Sequence, residues 1–208
     1  MSDDESLKHA VLEAALRLAD NKGFSDVLLA EAAKQAGADE RRLFQGGVAS
    51  LLAFYSQTVD GEMVRRLDGL ALKTMPVRKR IRTAVLTRLE ILAPHKQAAG
   101  HAAAWLALPQ NAPQAAQLVG ASVDAMWRAA GDVSTDFNFY TKRGTLAAVY
   151  STTLLRWFAD RSTDRHETTT FLDGRIENVM QYEKLKKQLR GVAQTGLDRF
   201  CDLVRRKV

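Results

Sequence analysis

The sequence has very little cysteine, since Cys201 is the only one among 208 residues. An internal disulfide is therefore excluded, which fits a protein of a reducing compartment. The chain begins MSDDES, and its three acidic residues are not typical of a secretory signal or an organelle transit peptide. Together these features predict a cytoplasmic protein.

A long hydrophobic run is missing as well. The nearest candidate, residues 97–123, contains no Asp, Glu, Lys or Arg, but Pro109 and Pro113 interrupt it and several glutamines dilute it. A membrane-spanning helix needs about 20 consecutive, mostly apolar residues. We therefore interpret this segment as two helices buried in the protein and joined by a proline-bounded turn.

The alternation of apolar and polar residues that marks strands is also missing. Apolar residues instead recur every three to four positions, as in the stripe that ends before Gly23 and in the one that follows Pro76. The sequence predicts an all-α protein of about ten helices. After the first helix, they are expected near residues 28–36, 39–45, 48–60, 62–73, 77–92, 97–107, 113–130, 136–160, 165–181 and 183–206.

Motifs of catalysis are missing too. The four histidines share no metal-ligand spacing, and the chain has no HExxH, CxxC, phosphate-binding glycine loop or G-x-S-x-G turn. We therefore predict no catalytic residues, no metal and no cofactor, and a protein that is not an enzyme.

The first 60 residues have a helix-turn-helix layout. One helix leads to Gly23, two short helices meet at Gly37, and the segment ADERRLFQGG at 38–47 precedes a further helix. This layout resembles the N-terminal domain of TetR-family regulators, whose second helix of the motif enters the major groove. The segment offers Arg41 and Arg42 to DNA. However, residues 1–60 hold six Lys and Arg against ten Asp and Glu, and a DNA-reading domain is usually basic. A TetR-type DNA-binding regulator with a small-molecule pocket is therefore the alternative function.

Four stretches farther along the chain resemble one family. They are RKRIRTAVLTRLEIL at 78–92, DAMWRAAGD at 124–132, STDFNFYTKRGTLAAVYSTTLLRWFAD at 134–160 and FLDGRIENVM at 171–180. They are similar to the lipid-binding accessory protein of ubiquinone biosynthesis, the ninth protein of the coenzyme Q pathway. The resemblance implies a TetR-like fold, no catalysis, an internal pocket for isoprenoid quinone or phospholipid, and assistance to the di-iron demethoxyubiquinone hydroxylase.

The resemblance also implies a surface that faces this hydroxylase. Carried over by position, its residues are Trp127, Asp132, Asp136, Phe139, Tyr140 and Arg143. Aromatic side chains beside arginine have the composition of interface hot spots, which agrees with this role. The alternative is that the aromatic residues belong to the core.

The charge-free segments 97–123 and 144–155 are rich in Ala, Leu and Val, and ligand cavities form between such helices. The residues expected to line a lipid pocket are Trp105, Leu106, Leu118, Val119, Val123, Leu146, Val149 and Tyr150. A filled core is the alternative, and no motif specifies the head group of a ligand.

Most of the net charge of +6 lies at the end of the chain, where residues 183–208 hold eight Lys and Arg against three acids. A basic amphipathic helix is predicted there, and its apolar stripe would enter a membrane interface. The membrane residues would be Leu185, Leu189, Leu197, Phe200 and Val204. The alternatives are docking on its own domain or on a second subunit. We expect a homodimer, peripheral to the inner face of the cytoplasmic membrane, with regions 1–60, 61–182 and 183–208.

Overall fold

The computed structural model describes residues 3–133 and 137–205, and the side chains in these ranges except those of residues 137, 138 and 186–205. Every regular element within the described residues is helical, which confirms the all-α prediction. The nine α-helices found there are α1 (Asp3–Lys22), α2 (Asp26–Gln35), α3 (Glu40–Leu43), α4 (Val48–Asp68), α5 (Val77–Leu92), α6 (Lys96–Leu106), α7 (Ala112–Ala129), α8 (Phe137–Ala159) and α9 (His166–Arg205).

The N-terminal part is formed by α1 and α2, which pack on each other, and by the short α3. Ser25 caps α2 by accepting a hydrogen bond from the backbone N–H of Leu28. Gly37 ends this helix with a φ of 66°, a conformation that suits glycine. The predicted helix-turn-helix layout is therefore present, but α3 has only four residues.

The middle of the chain departs from the prediction at Gly61. Two helices were expected over 48–60 and 62–73, but α4 runs without a break from Val48 to Asp68. Gly61 lies on the exposed face of α4, whereas Val59 and Met63 are buried on its inner face. A glycine inside a helix costs only about 1 kcal/mol, which the burial of two such side chains offsets.

The charge-free segment forms α6 and α7 with a short 3₁₀ turn at Pro109–Asn111, which confirms the predicted helices and turn. The expectation that both helices are buried is wrong for the first half of α7, because no residue of 112–121 is buried and only Ser122, Val123 and Met126 of this helix face the core. Farther on, the expected division of residues 165–181 and 183–206 into two helices is wrong, since α9 is continuous from His166 to Arg205. The expected break at Tyr182 contains no proline or glycine to end a helix. The helices α4 and α9 thus cross the region boundaries at 60 and 182, and the division into three regions stays a prediction.

The core extends through the whole described bundle. The inner face of α1 contributes Val11 and Ala15, α5 contributes Val85 and Leu89, and α8 contributes Trp157, all of them at most 1% exposed. The helices α4, α5, α7 and α8 pack against one another around the middle of this core. Their packing, together with that of α6, leaves an open space in the bundle.

Candidate functional site

A cavity of about 330 Å³ lies in the middle of the bundle, between α4, α5, α6, α7 and α8. Its volume is at the lower end of the range usual for small-molecule sites. Small and aliphatic side chains dominate its lining, among them Leu52, Ala99, Ala102, Leu106, Leu118 and Val119. We call this space the central cavity.

Half of the residues expected to line a lipid pocket are found here. Leu106, Leu118, Val119 and Tyr150 line the central cavity. Leu146 and Val149 line a second cavity instead, and Val123 is fully buried in the core without lining either. Trp105 is half-buried against the core and lines neither space. The predicted set is therefore divided between two cavities and the packed core.

One wall of the central cavity is polar, which the sequence did not lead us to expect. Arg88 is 5% exposed and donates from Nε to Asp60 Oδ1 over 2.7 Å. Its Nη2 donates to the hydroxyls of Ser56 and Ser122, each over 3.1 Å, and its Nη1 donates to the Tyr150 hydroxyl. Ser122 in turn donates to Asp60 Oδ2 over 2.8 Å. We call these five residues the central polar network.

The central polar network has a defined charge and protonation state. Asp60 balances the charge of Arg88, so the network contains one cation and one anion. Burial raises the pKa of Tyr150 more than the nearby Arg88 lowers it, so its hydroxyl keeps its proton at neutral pH. Burial raises the pKa of Tyr55, which lines the same cavity, in the same way. Both tyrosines therefore remain neutral.

One signal of this network is visible in the sequence. Arg88 occupies a position in the otherwise apolar stripe of α5, between Ala84 and Leu92. An arginine at a buried position requires charged or hydrogen-bonding partners. Its partners come from α4, α7 and α8, between 28 and 62 residues away.

The second cavity has a volume of about 590 Å³ and lies where the start of α5 meets α8 and α9. Val77 and Ile81 of α5 face Leu146 and Val149 of α8 across it, and Ile176 of α9 helps to close it. Trp127 and Lys142 lie at its edge, which brings this cavity next to the predicted hydroxylase-facing surface.

Five of the six residues predicted for that surface come together where α7 ends and α8 begins. Arg143 lies over the ring of Phe139, with 3.4 Å from Cζ to the ring centroid, and Phe139 contacts Tyr140 edge to face at 5.2 Å. Trp127 donates from Nε1 to the carbonyl oxygen of Lys142 over 3.2 Å. We call Trp127, Asp132, Phe139, Tyr140 and Arg143 the corner cluster. Asp136 lies outside the described residues.

Ion pairs hold the corner cluster together. Arg143 bonds Asp124 at 2.7 Å and Asp132 at 3.2 Å, and Lys142 bonds Asp132 at 2.6 Å. Burial pushes the pKa of Asp124 upward, but hydrogen bonds from Arg128 and Arg143 outweigh it and hold that pKa below its usual range. The side chains of Arg143 and Asp132 are 11% and 7% exposed, whereas Tyr140 is 72% exposed. Tyr140 is therefore the member of the cluster that is open to contact.

The predicted membrane stripe lies on α9. Leu185 is 54% exposed. Leu189, Leu197, Phe200 and Val204 follow on the same helix, and their side chains are not among those that the structure describes. Among the described residues, no helix combines the length and the apolarity required to cross a bilayer.

The candidate DNA-reading segment is short. The helix α3 covers Glu40–Leu43, and Asp39 caps it. Arg42 forms an ion pair with Asp4 at 2.7 Å. A recognition helix presents several side chains along the major groove, which a single helical turn does not do. This geometry does not favour the regulator alternative.

Comparison with known proteins gives both a fold and a family. The chain is similar to a TetR transcriptional regulator from Nitrosomonas europaea, with a TM-score of 0.67 and 18% identity over 83% of this chain and 97% of the other. This similarity confirms the TetR-like fold.

The COQ9 family model matches residues 112–183, which include the corner cluster. The ubiquinone biosynthesis protein COQ9 of Rattus norvegicus is 34% identical over 92% of this chain, which spans 64% of that relative's length. COQ9-B of Xenopus laevis is 32% identical over 93% of this chain and 68% of its own length. Both relatives are described as mitochondrial. The resemblance proposed from the sequence is thereby confirmed, and the chain belongs to the COQ9 family, whose members named here are ubiquinone biosynthesis proteins.

Proposed function

We propose that this protein is a non-catalytic lipid-binding protein of ubiquinone biosynthesis. It takes an isoprenoid quinone intermediate into the central cavity and presents it to the di-iron demethoxyubiquinone hydroxylase. The family supports the pathway, because the relatives carry that description. The observation that carries the proposal is the central cavity itself, an apolar space of about 330 Å³ with one polar wall.

This combination of surfaces suits a quinone. Burial of apolar groups contributes about 25 cal/mol for each Å² removed from water, and it is the main source of affinity for an isoprenoid tail. The few polar groups of a pocket orient the ligand. Ala99, Ala102 and Ala103 line the wall formed by α6 and leave room that larger side chains would fill.

The proposal is tested by filling the cavity. Ala103 lines it, whereas the next residue of the same helix, Ala104, is exposed and does not. We expect Ala103→Trp to lower the affinity for a benzoquinone with two isoprene units at least tenfold, and Ala104→Trp to leave it unchanged. Fluorescence titration measures the affinity, and native mass spectrometry measures the lipid that co-purifies. Equal binding by both variants contradicts the use of the central cavity.

The C-terminal part of α9 is proposed to attach the protein to a membrane. The sequence pattern predicts that Phe200 falls near the face of Leu185 and Gln194 on the opposite face of a helix. We expect Phe200→Glu to reduce co-sedimentation with anionic phosphatidylglycerol vesicles, and Gln194→Glu, which adds the same charge, to have a smaller effect. Equal losses of co-sedimentation in both variants would show that charge, and not the apolar face, determines membrane binding.

A homodimer is the last part of the proposal. Tyr182 of α9 is 63% exposed, so this late helix presents a large aromatic side chain to solvent. Sedimentation equilibrium is expected to give twice the chain mass of 23.0 kDa. A mass of one chain at high concentration contradicts it.

A further inference from the structure

Tyr150 is the member of the central polar network whose hydroxyl group keeps a hydrogen-bond donor at the central cavity. Tyr150 is 2% exposed and lines the cavity. Its oxygen accepts a hydrogen bond from Arg88 Nη1, and its own hydrogen meets no acceptor among the described residues. A buried hydrogen-bond donor without an acceptor is costly, so a ligand that supplies the acceptor gains affinity.

Arg88 makes this hydroxyl a stronger donor than an ordinary tyrosine. A hydroxyl that accepts a hydrogen bond from a cation is polarised, and its remaining hydrogen becomes more positive. The guanidinium group also lies over the ring of Tyr150, at 5.3 Å from the centroid, which holds the side chain in place. The donor is therefore pre-oriented as well as polarised.

The charges around this donor select a neutral partner. Asp60 already bonds Arg88 at 2.7 Å, so the cation is compensated before any ligand enters. A phosphate or free carboxylate in the cavity would add an uncompensated negative charge beside Asp60, which is costly in a buried site. A carbonyl oxygen accepts the same hydrogen bond without adding a charge.

The rest of the cavity fixes the direction of the ligand. Leu154, Leu155 and Phe158 of α8 line it one and two turns beyond Tyr150, and Leu155 is 65% exposed. The polar network thus forms the inner end, and apolar side chains lead from it toward solvent. A ligand with a carbonyl head and an apolar tail fits with its head innermost.

We propose that the Tyr150 hydroxyl, held and polarised by Arg88, donates a hydrogen bond to a carbonyl oxygen of a neutral lipid and so determines which ligands the central cavity accepts. The inference rests on the proposed function, which makes the carbonyl group that of a quinone. The ester carbonyl of a neutral glyceride is the other source of the same chemistry.

The test compares ligands with and without a carbonyl group on two variants of α8. Tyr150→Phe removes the donor. Thr153→Val is the control, because the Thr153 hydroxyl is equally buried but donates to Val149 O of its own helix and does not line the cavity. The ligands are a benzoquinone with two isoprene units, a diacylglycerol, and farnesene, an isoprenoid hydrocarbon without oxygen.

We expect Tyr150→Phe to lower the affinity for the quinone about tenfold and to leave the affinity for farnesene unchanged. Thr153→Val should bind all three ligands as the unaltered protein does. An equal loss for farnesene, or no loss for either the quinone or diacylglycerol, overturns the inference. A loss confined to diacylglycerol supports the donor role but removes the quinone from the proposed function. If the unaltered protein binds no quinone and no glyceride, the proposed function itself fails.

A measurement on the unaltered protein covers the case in which Tyr150→Phe does not fold. Infrared spectroscopy of a quinone labelled with ¹³C at one carbonyl reports the hydrogen bond directly. We expect a bound carbonyl band at lower frequency than that of the same quinone in a hydrocarbon solvent. A band at the solvent frequency overturns the inference.

Discussion

Two clusters in this protein have the same parts in different surroundings. In the central polar network, Arg88 bonds Asp60 and lies 5.3 Å from the ring of Tyr150. In the corner cluster, Arg143 bonds Asp132 and lies 3.4 Å from the ring of Phe139. The first joins helices that are far apart in the sequence, and the second joins the neighbouring helices α7 and α8.

The difference lies in what each arginine holds together. The contacts of Arg88 span 28 to 62 residues and connect α5 with α4, α7 and α8. Those of Arg143 with Asp124 and Asp132 span 19 and 11 residues. We expect loss of a central contact to affect the whole fold, and loss of a corner contact to affect mainly the start of α8. The central network therefore fixes tertiary structure around a cavity, whereas the corner cluster shapes a surface.

The largest effect is expected for Asp60→Ala. This change leaves the Arg88 guanidinium buried without its carboxylate, and breaking such a buried pair costs about 3–5 kcal/mol of the free energy of unfolding. Urea denaturation followed by circular dichroism measures it. The control is the double variant Asp60→Leu with Arg88→Met, which removes both charges and should recover part of the stability. A loss below about 1 kcal/mol for Asp60→Ala contradicts the central role of the pair.

A smaller effect is expected for Arg143→Met. The variant loses hydrogen bonds to two carboxylates, and bonds to charged groups contribute about 1.5–3 kcal/mol. Hydrogen exchange should rise at the start of α8 and stay unchanged in α4 and α5. Arg128→Met is the matched control, because Arg128 shares Asp124 but its side chain is 68% exposed, and surface ion pairs contribute at most about 1 kcal/mol. An equal rise in hydrogen exchange in all helices would contradict the prediction that Arg143 stabilises mainly the start of α8.

The same corner predicts a dependence on acid. The pKa of Asp124 is held below its usual range in the fold, so its contribution to stability is present above the unfolded pKa of about 3.9. That contribution is lost as the pH falls through the lowered pKa of the folded protein. Arg143→Met should therefore make the stability below about pH 4 less dependent on pH. An unchanged slope of unfolding free energy against pH would exclude this assignment.

The smallest effect on stability is expected for Tyr140→Ala. The side chain is 72% exposed, and surface substitutions usually change stability by at most about 0.5 kcal/mol. If the corner cluster faces the hydroxylase as proposed, the affinity for that enzyme falls at least tenfold, because exposed aromatic residues are frequent interface anchors. Surface plasmon resonance measures this affinity. Val27→Ala on α2, which also truncates an exposed apolar side chain, should leave it unchanged, and equal losses in both variants would contradict the assignment.

Much of the fold was predictable from local patterns. The stripe of α5 after Pro76, the proline-bounded turn between α6 and α7 and the stop at Gly37 follow from residues close together in the chain. The errors at Gly61 and Tyr182 concern the joining of helices. Such boundaries depend on which faces are buried by distant helices, and local patterns carry little information about that.

The candidate sites were predictable to different degrees. The corner cluster was predicted because five of its residues lie within 127–143, where a contiguous motif carries them. The central cavity was predicted only in part, since Leu106 and Leu118 line it whereas Leu146 and Val149 of α8 line the second cavity. Residues on different faces of one helix pack against different neighbouring helices. Only the tertiary packing decides which cavity each of them lines.

The sequence by itself determined the helical class, the family and the place of the corner cluster, because helix periodicity and contiguous motifs are local properties of the chain. Only the tertiary structure decided that Arg88 meets Asp60 and Tyr150, and that their network closes one end of a cavity. The physical reason is that a buried charge needs an opposite charge close by, and the fold decides which residue supplies it. That partner lies 28 residues away on another helix, a distance at which spacing in the sequence does not predict contact.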